Sequence, residues 1–297
     1  MEAFPPWLGF TFTSKVHSAP TPDIEEIKLP RPYVVVITGA SRGIGAETAK
    51  IFASAGATGL ILTATTLSKA LLSTKAQVET LAPTAKVTVL AADLSNPDSA
   101  SSIYEAVKSD HRGRLDVLIN NAAIASTNPT AFNQRDLAAI DVSQIIDPLF
   151  VNVVGKFATF KALIPLLLGT DGAKTIINLS SATARFASAG ALGYNLSQLA
   201  TNRLTEALTE CYGDRGVLVF AVHPGLVTTT PSPGEPVGEW PKNDDAGLCG
   251  AFILWLLKER KEWLSGRYLS ANWDVEELAG KKDEIVAGDK LKMRMVV

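Results

Sequence analysis

The sequence predicts an α/β fold, with a doubly wound parallel sheet of about seven strands and helices on both faces. Two observations lead to this fold. Short apolar runs rich in β-branched residues recur along the chain, and helix-length segments separate them. Consecutive parallel strands need a crossover between them, and the intervening helices provide it. Because the sequence shows neither a linker nor an internal repeat, we expect one domain over residues 33–297, preceded by an N-terminal arm over 1–32.

The predicted strands and helices alternate along the chain. The first strand is a β-branched run that breaks into glycines and resumes as a segment with a 3.6-residue period. Each later strand is again a short apolar run followed by polar residues. The predicted strands span 33–37, 59–64, 86–91, 115–119, 174–179 and 217–222. The predicted helices span 43–52, 67–81, 97–108, 141–168, 192–212 and 246–258, with a break in the fourth helix near Pro165.

The bulk composition limits the classes of function. A chain of 297 residues with 46% hydrophobic residues can bury a substantial core, and a net charge of −2 gives no sign of a nucleic-acid partner. Cys211 and Cys249 lack the spacing of metal ligands, so no metal site is expected. We expect both cysteines to be packing residues in a reducing compartment.

The N-terminal arm and the hydropathy pattern bear on localisation. No stretch approaches the roughly 20 uninterrupted apolar residues of a spanning helix, so no membrane contact is expected. The arm has neither the basic start nor the apolar centre of a signal peptide, which favours a cytoplasmic protein. Trp7, Phe10 and Phe12 are candidate anchors for an irregular arm on the domain surface, and disorder is the alternative.

A glycine-rich turn follows the first predicted strand. Gly39, Gly43 and Gly45 can adopt backbone angles closed to other residues and allow a ligand to approach the chain closely. The helix that begins near Gly43 offers free N–H groups and a positive dipole end to a pyrophosphate. A dinucleotide is therefore expected on this turn, and a purely structural tight turn is the alternative.

Polar residues also follow the other predicted strands, at the edge where ligands bind in open parallel sheets. These positions are Thr63 to Thr66, Ala92 to Leu94, Asn120 to Ala123, Ser180, Ser181 and His223 to Gly225. Each has a structural explanation when taken alone, such as helix capping by Asp93. Because they fall together at one edge of one sheet, they predict a binding site.

Three of these stretches resemble the cofactor motifs of the short-chain dehydrogenase/reductase family. The turn Thr38 to Gly45 is similar to T-G-x-x-x-G-x-G, Asn120 to Ala123 is similar to N-N-A-G with alanine for glycine, and Pro224 to Thr229 is similar to P-G-x-V-x-T. The match covers most of residues 34–268 and implies a Rossmann-like fold that binds a nicotinamide dinucleotide. It implies cofactor contacts from Gly39, Ser41, Arg42, Gly43, Ile44, Gly45, Asp93, Leu94, Asn121, Ala122, Tyr194, Gln198, Pro224, Gly225, Val227 and Thr229.

The catalytic residues of the same family also have counterparts here. Asn152 resembles the helix asparagine of the family's tetrad, and Ser181 and Tyr194 lie at the family's interval of 13 residues. Hydride transfer to a carbonyl builds negative charge on its oxygen, so the reaction needs a hydrogen-bond donor and a proton source there. The resemblance implies that Ser181 is the donor and that Tyr194 is the acid.

Gln198 departs from the family pattern. The segment from Tyr194 reads Y-x-x-x-Q, where the family has Y-x-x-x-K, so the catalytic lysine is replaced by a neutral amide. A cation about 5 Å from a phenolate, at an effective dielectric constant near 20, contributes on the order of 3 kcal/mol, or about two pKa units. Proton transfer should therefore be weakened. Arg185 lies in the loop between Ser181 and Tyr194; a role at the surface is expected, and entry into the site is the alternative.

Three functions remain open at this point. The first is a carbonyl reductase or alcohol dehydrogenase that works with a weakened proton relay. The second is a non-redox catalyst, such as an isomerase, cyclase or dehydratase, that uses Ser181 and Tyr194 in the same pocket. The third is a cofactor-binding protein without turnover. Net consumption of the cofactor distinguishes the first from the other two.

The cofactor is expected to be NADP(H) rather than NAD(H). The second strand ends in Thr63 to Thr66 without a carboxylate for a ribose 2′-hydroxyl, and Arg42 in the glycine turn is placed to meet a 2′-phosphate. By analogy with the family, we also expect a homodimer or homotetramer in which two long helices pair across a two-fold axis. The apolar residues proposed for that pairing are Phe150, Phe157, Phe160, Leu163, Leu199, Leu204 and Leu208.

The substrate is expected to be a medium-sized, largely apolar carbonyl compound or secondary alcohol, with secondary metabolism as a plausible setting. A Pro- and Gly-rich loop and the helix after it, together about 229–258, are expected to form a lid. The candidate lining residues are Pro231, Pro233, Val237, Trp240, Leu248 and Phe186.

Overall fold

The computed structural model of the protein describes residues 8–22, 26–125, 136–186, 191–227 and 244–295. Its strands are β1 (Val34–Ile37), β2 (Gly59–Ala64), β3 (Lys86–Ala91), β4 (Val117–Asn120), β5 (Thr175–Leu179), β6 (Leu218–His223) and β7 (Tyr268–Ser270). Its α-helices are α1 (Gly43–Ser54), α2 (Lys69–Leu81), α3 (Ser99–Asp110), α4 (Ser143–Leu149), α5 (Lys156–Gly169), α6 (Leu192–Tyr212), α7 (Leu248–Lys258), α8 (Val275–Gly280) and α9 (Lys282–Ala287).

Within the described residues, seven parallel strands form one sheet in the order β3-β2-β1-β4-β5-β6-β7. The register is continuous through the centre, where Val36 pairs with Ile61 on one side and with Leu118 on the other. Strand order reverses between β1 and β4, so the ligand crevice of this topology lies at their carboxyl ends. The predicted doubly wound fold is therefore confirmed.

The two faces of the sheet build separate apolar cores. Val35 and Ile37 point to one face, where α1, α2 and α7 pack, and Val34 and Val36 point to the other, where α3, α5 and α6 pack. Strands buried on both faces are continuous apolar runs, which explains why the sequence pattern marks them so clearly. Apart from the fourth helix, the observed boundaries differ from the predicted ones by at most two residues.

The predicted break near Pro165 is wrong, because α5 continues through this residue. Pro165 lies on the exposed side of α5, where water can bond the carbonyl that loses its N–H partner. The irregularity lies earlier, at Phe150–Gly155, which forms a π-helical turn between α4 and α5. Wide turns of this type occur frequently at functional sites, and Asn152 lies within this one.

The helical segment Ser143–Gly169 is long and apolar enough, by length and composition, to cross a membrane. Core helices of globular proteins have the same property. Here one side of the segment packs on the sheet, with Asn152, Lys156 and Thr159 fully buried. Packing within the protomer therefore accounts for the residues on this side of the segment.

The apolar residues proposed for subunit pairing divide into two groups. Phe160, Leu163 and Leu208 are buried in the protomer's own core, and Leu204 is half-buried against it. Phe150 and Phe157 are 38% and 46% exposed, and Leu199 on α6 is 36% exposed. Only the second group is available to another subunit.

The expectation that 246–258 belongs to a lid is wrong for α7. Leu248, at its start, is buried, and a Cβ on Gly250 would lie 3.0 Å from the Cα of Thr48 in α1. A helix that is apolar on every side belongs to the core. Its buried residues are Leu248, Cys249, Gly250, Ala251, Phe252, Ile253, Leu254 and Leu256. The rest of the predicted lid, 229–243, lies outside the described residues, as do Pro231, Pro233, Val237 and Trp240.

The described part of the N-terminal arm packs against the end of the chain. The Phe12 ring lies 5.0 Å from the Trp273 ring, and the Phe10 ring lies 6.4 Å from the His223 ring. His17 Nε2 lies 2.9 Å from a carboxylate oxygen of Asp274. These contacts hold residues 9–17 beside β6 and β7, whereas Trp7 lies outside the described residues.

Candidate active site

The glycine turn between β1 and α1 leaves room for a ligand to approach the backbone closely. Gly39 has a φ of +69°, in the left-handed region that favours glycine. A Cβ on Gly45 would lie 2.4 Å from the carbonyl oxygen of Gly39, so no side chain fits at this position. Ser41, Arg42 and Ile44 complete the turn, and Arg42 is exposed at the start of α1. The result is an open cradle with backbone N–H groups at a helix N-terminus, where a pyrophosphate can bind.

Asn121 and Thr38 fix this cradle to β4. The Asn121 side-chain amide donates to the carbonyl oxygens of Thr38 and Gly39, at 2.7 and 3.0 Å. The Thr38 hydroxyl oxygen accepts from the backbone N–H groups of Asn121 and Ala122, at 3.1 and 3.0 Å. Asn121 therefore positions the turn with its side chain, and Thr38 holds the backbone of Asn121 and Ala122 beside it.

Asp93 and Leu94 lie where β3 ends, on the same edge. Asp93 accepts from the backbone N–H of Ser95 at 2.9 Å, which shapes the turn after the strand. Leu94 is buried, and a Cβ on Gly155 would lie 2.7 Å from its carbonyl oxygen. Leu94 thus contacts the π-helical turn that contains Asn152.

Asn152 links three elements and is fully buried. Its amide nitrogen donates to the carbonyl oxygen of Ile124 and to the Ser197 hydroxyl, at 2.8 and 2.9 Å. Its amide oxygen accepts from the Ile124 backbone N–H at 2.8 Å. Ser197 in turn donates to the carbonyl oxygen of Tyr194 at 2.7 Å. Asn152 therefore holds the first turn of α6, which includes Tyr194, against the segment that follows β4.

Ser181 follows β5, and Tyr194 lies in the first turn of α6. The turn Ala182–Arg185, which begins directly after Ser181, packs against α6 and brings the two regions together. The Ser181 oxygen accepts from both the backbone N–H and the hydroxyl of Thr183, at 3.2 and 3.1 Å. Since both lone pairs are occupied, the Ser181 O–H is left to donate to a substrate.

Gln198 lies one turn after Tyr194 and is 1% exposed. Its side-chain oxygen is buried, and no described residue donates a hydrogen bond to it. Buried acceptors are rarely left in this state unless a ligand or water completes them. A ribose hydroxyl is a donor of the type that this oxygen lacks.

Pro224, Gly225 and Leu226 form the loop after β6, and Asp244 fixes this loop. An Asp244 carboxylate oxygen accepts from the Leu226 N–H at 2.7 Å and from the side chain of Asn272 at 2.9 Å. Sequence reasoning missed Asp244, because it lies 18 residues beyond the loop that it holds. Val227 is the last described residue of this segment, and Thr229 lies outside the described residues.

Lys156 is a second residue that sequence reasoning missed. It is fully buried, and its ammonium group donates to the carbonyl oxygen of Leu179 at 2.6 Å, two residues before Ser181. Burial lowers the pKa of Lys156 to about 7. No carboxylate forms an ion pair with it within the described part of the chain. Lys156 lies four residues after Asn152 on a predicted helix, so the sequence already indicated that the two side chains share one face of that helix.

Arg185 does not lie at the surface as expected. It is half-buried, and its guanidinium carbon lies 4.1 Å from the centre of the Tyr268 ring. Phe186, a predicted wall residue, is also half-buried beside it.

The residues at this edge fit a nicotinamide dinucleotide. The cradle formed by Gly39 and Gly45 admits a phosphate without obstruction from a side chain, and the Gln198 oxygen, to which no described residue donates, has the capacity to accept from a ribose hydroxyl. The loop at Pro224 and Gly225 follows β6, and Ser181 follows β5, so both lie at the carboxyl edge of the sheet. Cofactor and substrate groups are thus brought to one crevice.

Comparisons with known proteins agree with this architecture. The sequence profile of the short chain dehydrogenase family matches residues 33–235. Two similar proteins are the short chain dehydrogenase pgmD of Aspergillus terreus, 37% identical over 99% of this chain and 96% of that protein, and the short chain dehydrogenase mpl6 of Monascus purpureus, 39% identical over 99% and 100%.

Solved structures give the same result. A short chain dehydrogenase from Burkholderia cenocepacia in complex with NADP aligns with a TM-score of 0.69 at 26% identity, covering 80% of this chain and 95% of that one. An oxidoreductase from E. coli aligns with a TM-score of 0.71 at 23% identity, covering 85% and 98%, which supports the fold alone. The chain therefore belongs to the short-chain dehydrogenase/reductase family.

Proposed function

We propose that the protein is an NADP(H)-dependent oxidoreductase that reduces a carbonyl, or oxidises a secondary alcohol, on a medium-sized and largely apolar substrate of secondary metabolism. The observation that best supports this proposal is the position of Ser181 and Tyr194. Both lie at the carboxyl edge of the sheet that also forms the glycine cradle. A donor and a proton source beside a dinucleotide site are the groups that carbonyl reduction requires.

The proposed chemistry assigns one role to each hydroxyl. A bound reduced dinucleotide supplies the hydride. Ser181, whose oxygen already accepts two hydrogen bonds, donates its O–H to the carbonyl oxygen on which negative charge develops. Tyr194 gives its phenolic proton to the same oxygen, which completes the alcohol. Asn152 keeps Tyr194 in place through Ser197.

The test is NADPH oxidation over a panel of activated ketones and quinones, with product analysis. Wild type should reduce at least one class of carbonyl, and Tyr194→Phe should lower the rate by about a hundredfold or more, in the usual range for loss of a general acid. Glu210→Gln, an exposed residue on the same helix, is the matched control and should retain the rate. Turnover that survives Tyr194→Phe would exclude Tyr194 as the acid.

A non-redox reaction in the same pocket is the second candidate, and Gln198 is the observation that favours it. The fully buried neutral amide supplies no cation to assist proton release from Tyr194. Conversion of a substrate without net NADPH oxidation would support this candidate. Cofactor binding without conversion of any substrate would instead support a non-catalytic protein.

The preference for NADP(H) over NAD(H) is also proposed. Arg42 is exposed at the start of α1, and Thr65 and Thr66 are exposed after β2. The backbone N–H of Ala40 bonds the carbonyl oxygen of Thr63 at 2.8 Å, which places the two loops side by side. Titration with both reduced cofactors should give tighter NADPH binding, and Arg42→Gln should remove most of the difference. Equal or tighter NADH binding by wild type would contradict the proposal.

We further propose that the protein is a homodimer or homotetramer. Phe150, Val154 and Phe157 are exposed in one helical stripe, and Leu196 and Leu199 are exposed on α6. Burial of two such stripes against a second copy would remove this apolar surface from water. Light scattering should return a multiple of 31.5 kDa. A monomer at micromolar concentration would refute the proposal.

A further inference from the structure

Three hydrogen-bond donors lie near one another in the protein interior. They are Nε of Arg185, Nε2 of His223 and the hydroxyl of Tyr268, and no described residue accepts a hydrogen bond from any of them. They come from three elements: the turn after β5, the end of β6 and the start of β7. His223 is 2% exposed and Tyr268 is 5% exposed. Native proteins seldom bury polar groups without partners, so three in one place require an explanation.

The three side chains form one cluster. The Arg185 guanidinium carbon lies 4.1 Å from the centre of the Tyr268 ring. Burial, with a smaller contribution from the nearby positive charge of Arg185, lowers the pKa of His223 to about 3. On neighbouring strands, His223 and Tyr268 face the same side of the sheet, because Tyr268 pairs with Ala221, two residues before His223.

Each group is a donor in its resting state. His223 Nδ1 accepts from the backbone N–H of Ala182 at 3.3 Å, so the neutral ring holds its proton on Nε2. Burial raises the pKa of Tyr268, which keeps its O–H protonated. Arg185 is a cation with only donors. The cluster therefore offers three donors and one positive charge, and no described carboxylate pairs with Arg185.

The cluster lies beside the reacting groups. Arg185 and Ala182 belong to the turn that begins directly after Ser181. Tyr194 is close enough to Tyr268 to add to the rise in its pKa, after the larger effect of burial. A ligand on these donors would therefore reach the catalytic hydroxyls.

The surroundings restrict the ligand. Phe10 packs edge-on against His223 with ring centres 6.4 Å apart, and Trp273 packs against Tyr268 with ring centres 6.3 Å apart. A carboxylate accepts several hydrogen bonds and matches the planar fork of a guanidinium. The aromatic walls suit the apolar body of the same molecule.

We propose that Arg185, His223 and Tyr268 form a subsite for a carboxylate, and that the substrate is an apolar carbonyl compound with one ionised carboxyl group. This inference rests on the proposed carbonyl reduction. It narrows the substrate class to a keto acid or an aldehyde acid.

The test uses matched acids and esters. The probes are 2-, 3- and 4-formylbenzoate and their methyl esters, with NADPH oxidation as the readout. Wild type should prefer at least one acid over its ester by about tenfold or more in kcat/KM, and Arg185→Gln should remove this preference mainly through KM. Arg185→Lys retains the charge but loses the planar fork, so it should restore part of the preference.

Arg215 provides the matched control. Its guanidinium carbon also lies over a tyrosine ring, 5.5 Å from the centre of Tyr212, but near the amino end of β6. Arg215→Gln should leave the acid preference unchanged. An ester used as well as its acid by wild type, for all three isomers, would overturn the proposal, as would an equal loss for acid and ester in Arg185→Gln.

A binding measurement separates failure of the subsite from failure of the proposed reaction. Calorimetric titration with the three formylbenzoates and their esters requires no turnover. Binding of an acid that is lost in Arg185→Gln but kept in Arg215→Gln supports the subsite even if no variant oxidises NADPH, in which case the proposed reduction is wrong. Equal binding of acid and ester overturns the subsite, whatever the outcome of the activity assay.

Discussion

The residues around the glycine turn and the residues around Arg185 differ in how their polar groups are paired. Thr38, Asn121 and Asn152 use their hydrogen-bonding groups within the protein. Arg185 and His223 keep buried donors that no described residue accepts. We call the first set the frame, because it positions the backbone of the proposed cofactor site. The second set keeps hydrogen-bond donors available for the proposed substrate.

The comparison teaches which residues can be expected to contact a ligand. Both amide N–H groups of Asn152 are used, one by the Ile124 carbonyl and one by Ser197, so this fully buried side chain has no donor left for a substrate. Gln198, one turn along α6 from Tyr194, keeps an oxygen to which no described residue donates. A site residue identified by motif can therefore be either a positioning residue or a contact residue, and its hydrogen bonds distinguish the two.

The largest expected effect tests the frame. In Gly45→Ala, the added Cβ would meet the Gly39 carbonyl oxygen at 2.4 Å and the Asn121 amide at 2.5 Å, so the turn must move. Backbone atoms cannot yield as a flexible side chain can, and we expect the Kd for NADPH to rise by about a hundredfold or more. Titration by cofactor fluorescence measures it.

Gly280→Ala is the control for this variant, because no heavy atom lies within 4 Å of its added Cβ. It should leave the Kd for NADPH unchanged. Normal cofactor affinity in Gly45→Ala would mean that the cradle adjusts readily, and the distinction between a fixed frame and an open contact surface would fail.

The next effect concerns Lys156, which is buried within the frame without a counter-charge among the described residues. The folded-state pKa of about 7 lies below the unfolded value of about 10.4. The unfolded chain therefore binds more protons between these values, so the free energy of unfolding should rise with pH from about 7 to about 10. The difference between the two pKa values corresponds to about 4 to 5 kcal/mol, and loss of the bond to Leu179 offsets about 1 to 2 kcal/mol of it. Lys156→Met should therefore raise the free energy of unfolding by about 3 kcal/mol at pH 6 and by much less at pH 10.

Denaturant unfolding at several pH values measures this dependence, with Lys161→Met on the exposed side of the same helix as the control. The Lys161 variant should give the wild-type pH slope. A Lys156→Met protein that is less stable than wild type at pH 6 would show that the bond to Leu179 outweighs the cost of the buried charge.

The smallest expected effect concerns Gln198, one of the residues expected to contact a ligand. Gln198→Lys restores a cation one turn from Tyr194 and should raise the rate of ketone reduction by about tenfold. This gain is smaller than an ideally placed cation would give, because a newly introduced lysine seldom finds the best geometry. Gln198→Met removes the unpaired oxygen without adding charge and should not raise the rate. Single-turnover NADPH oxidation compares the variants, and no gain in the lysine variant would favour the non-redox candidate.

The sheet and the glycine turn could be predicted from the sequence, because each is specified by a local pattern of residues. The β-branched run of β1 and the glycines that follow it specify a buried strand and a turn within about a dozen residues. Pro165 shows the limit of such rules. Proline breaks helices on average, but its exposed position in α5 depends on packing that no local window describes.

The cluster around Arg185 could not be predicted in the same way. Arg185 and Tyr268 are 83 residues apart in the sequence, and no periodicity relates them. The burial of Lys156 could be suspected from its place on an apolar helix, but the absence of a described carboxylate beside it depends on the three-dimensional fold. Unpaired donors are properties of tertiary neighbours, so a single sequence does not reveal them.

The N-terminal arm has a consequence for the order of folding. The Trp273 indole donates to the carbonyl oxygen of Gly9, and Ser14 donates to Glu277, across sequence separations of 264 and 263 residues. Contacts between residues so far apart in the sequence form late, because the intervening chain must first become compact. During synthesis they cannot form until the last strand has left the ribosome. Gly9 also lies against the Arg185 guanidinium, so the wall of the carboxylate subsite is completed only when the two ends of the chain meet.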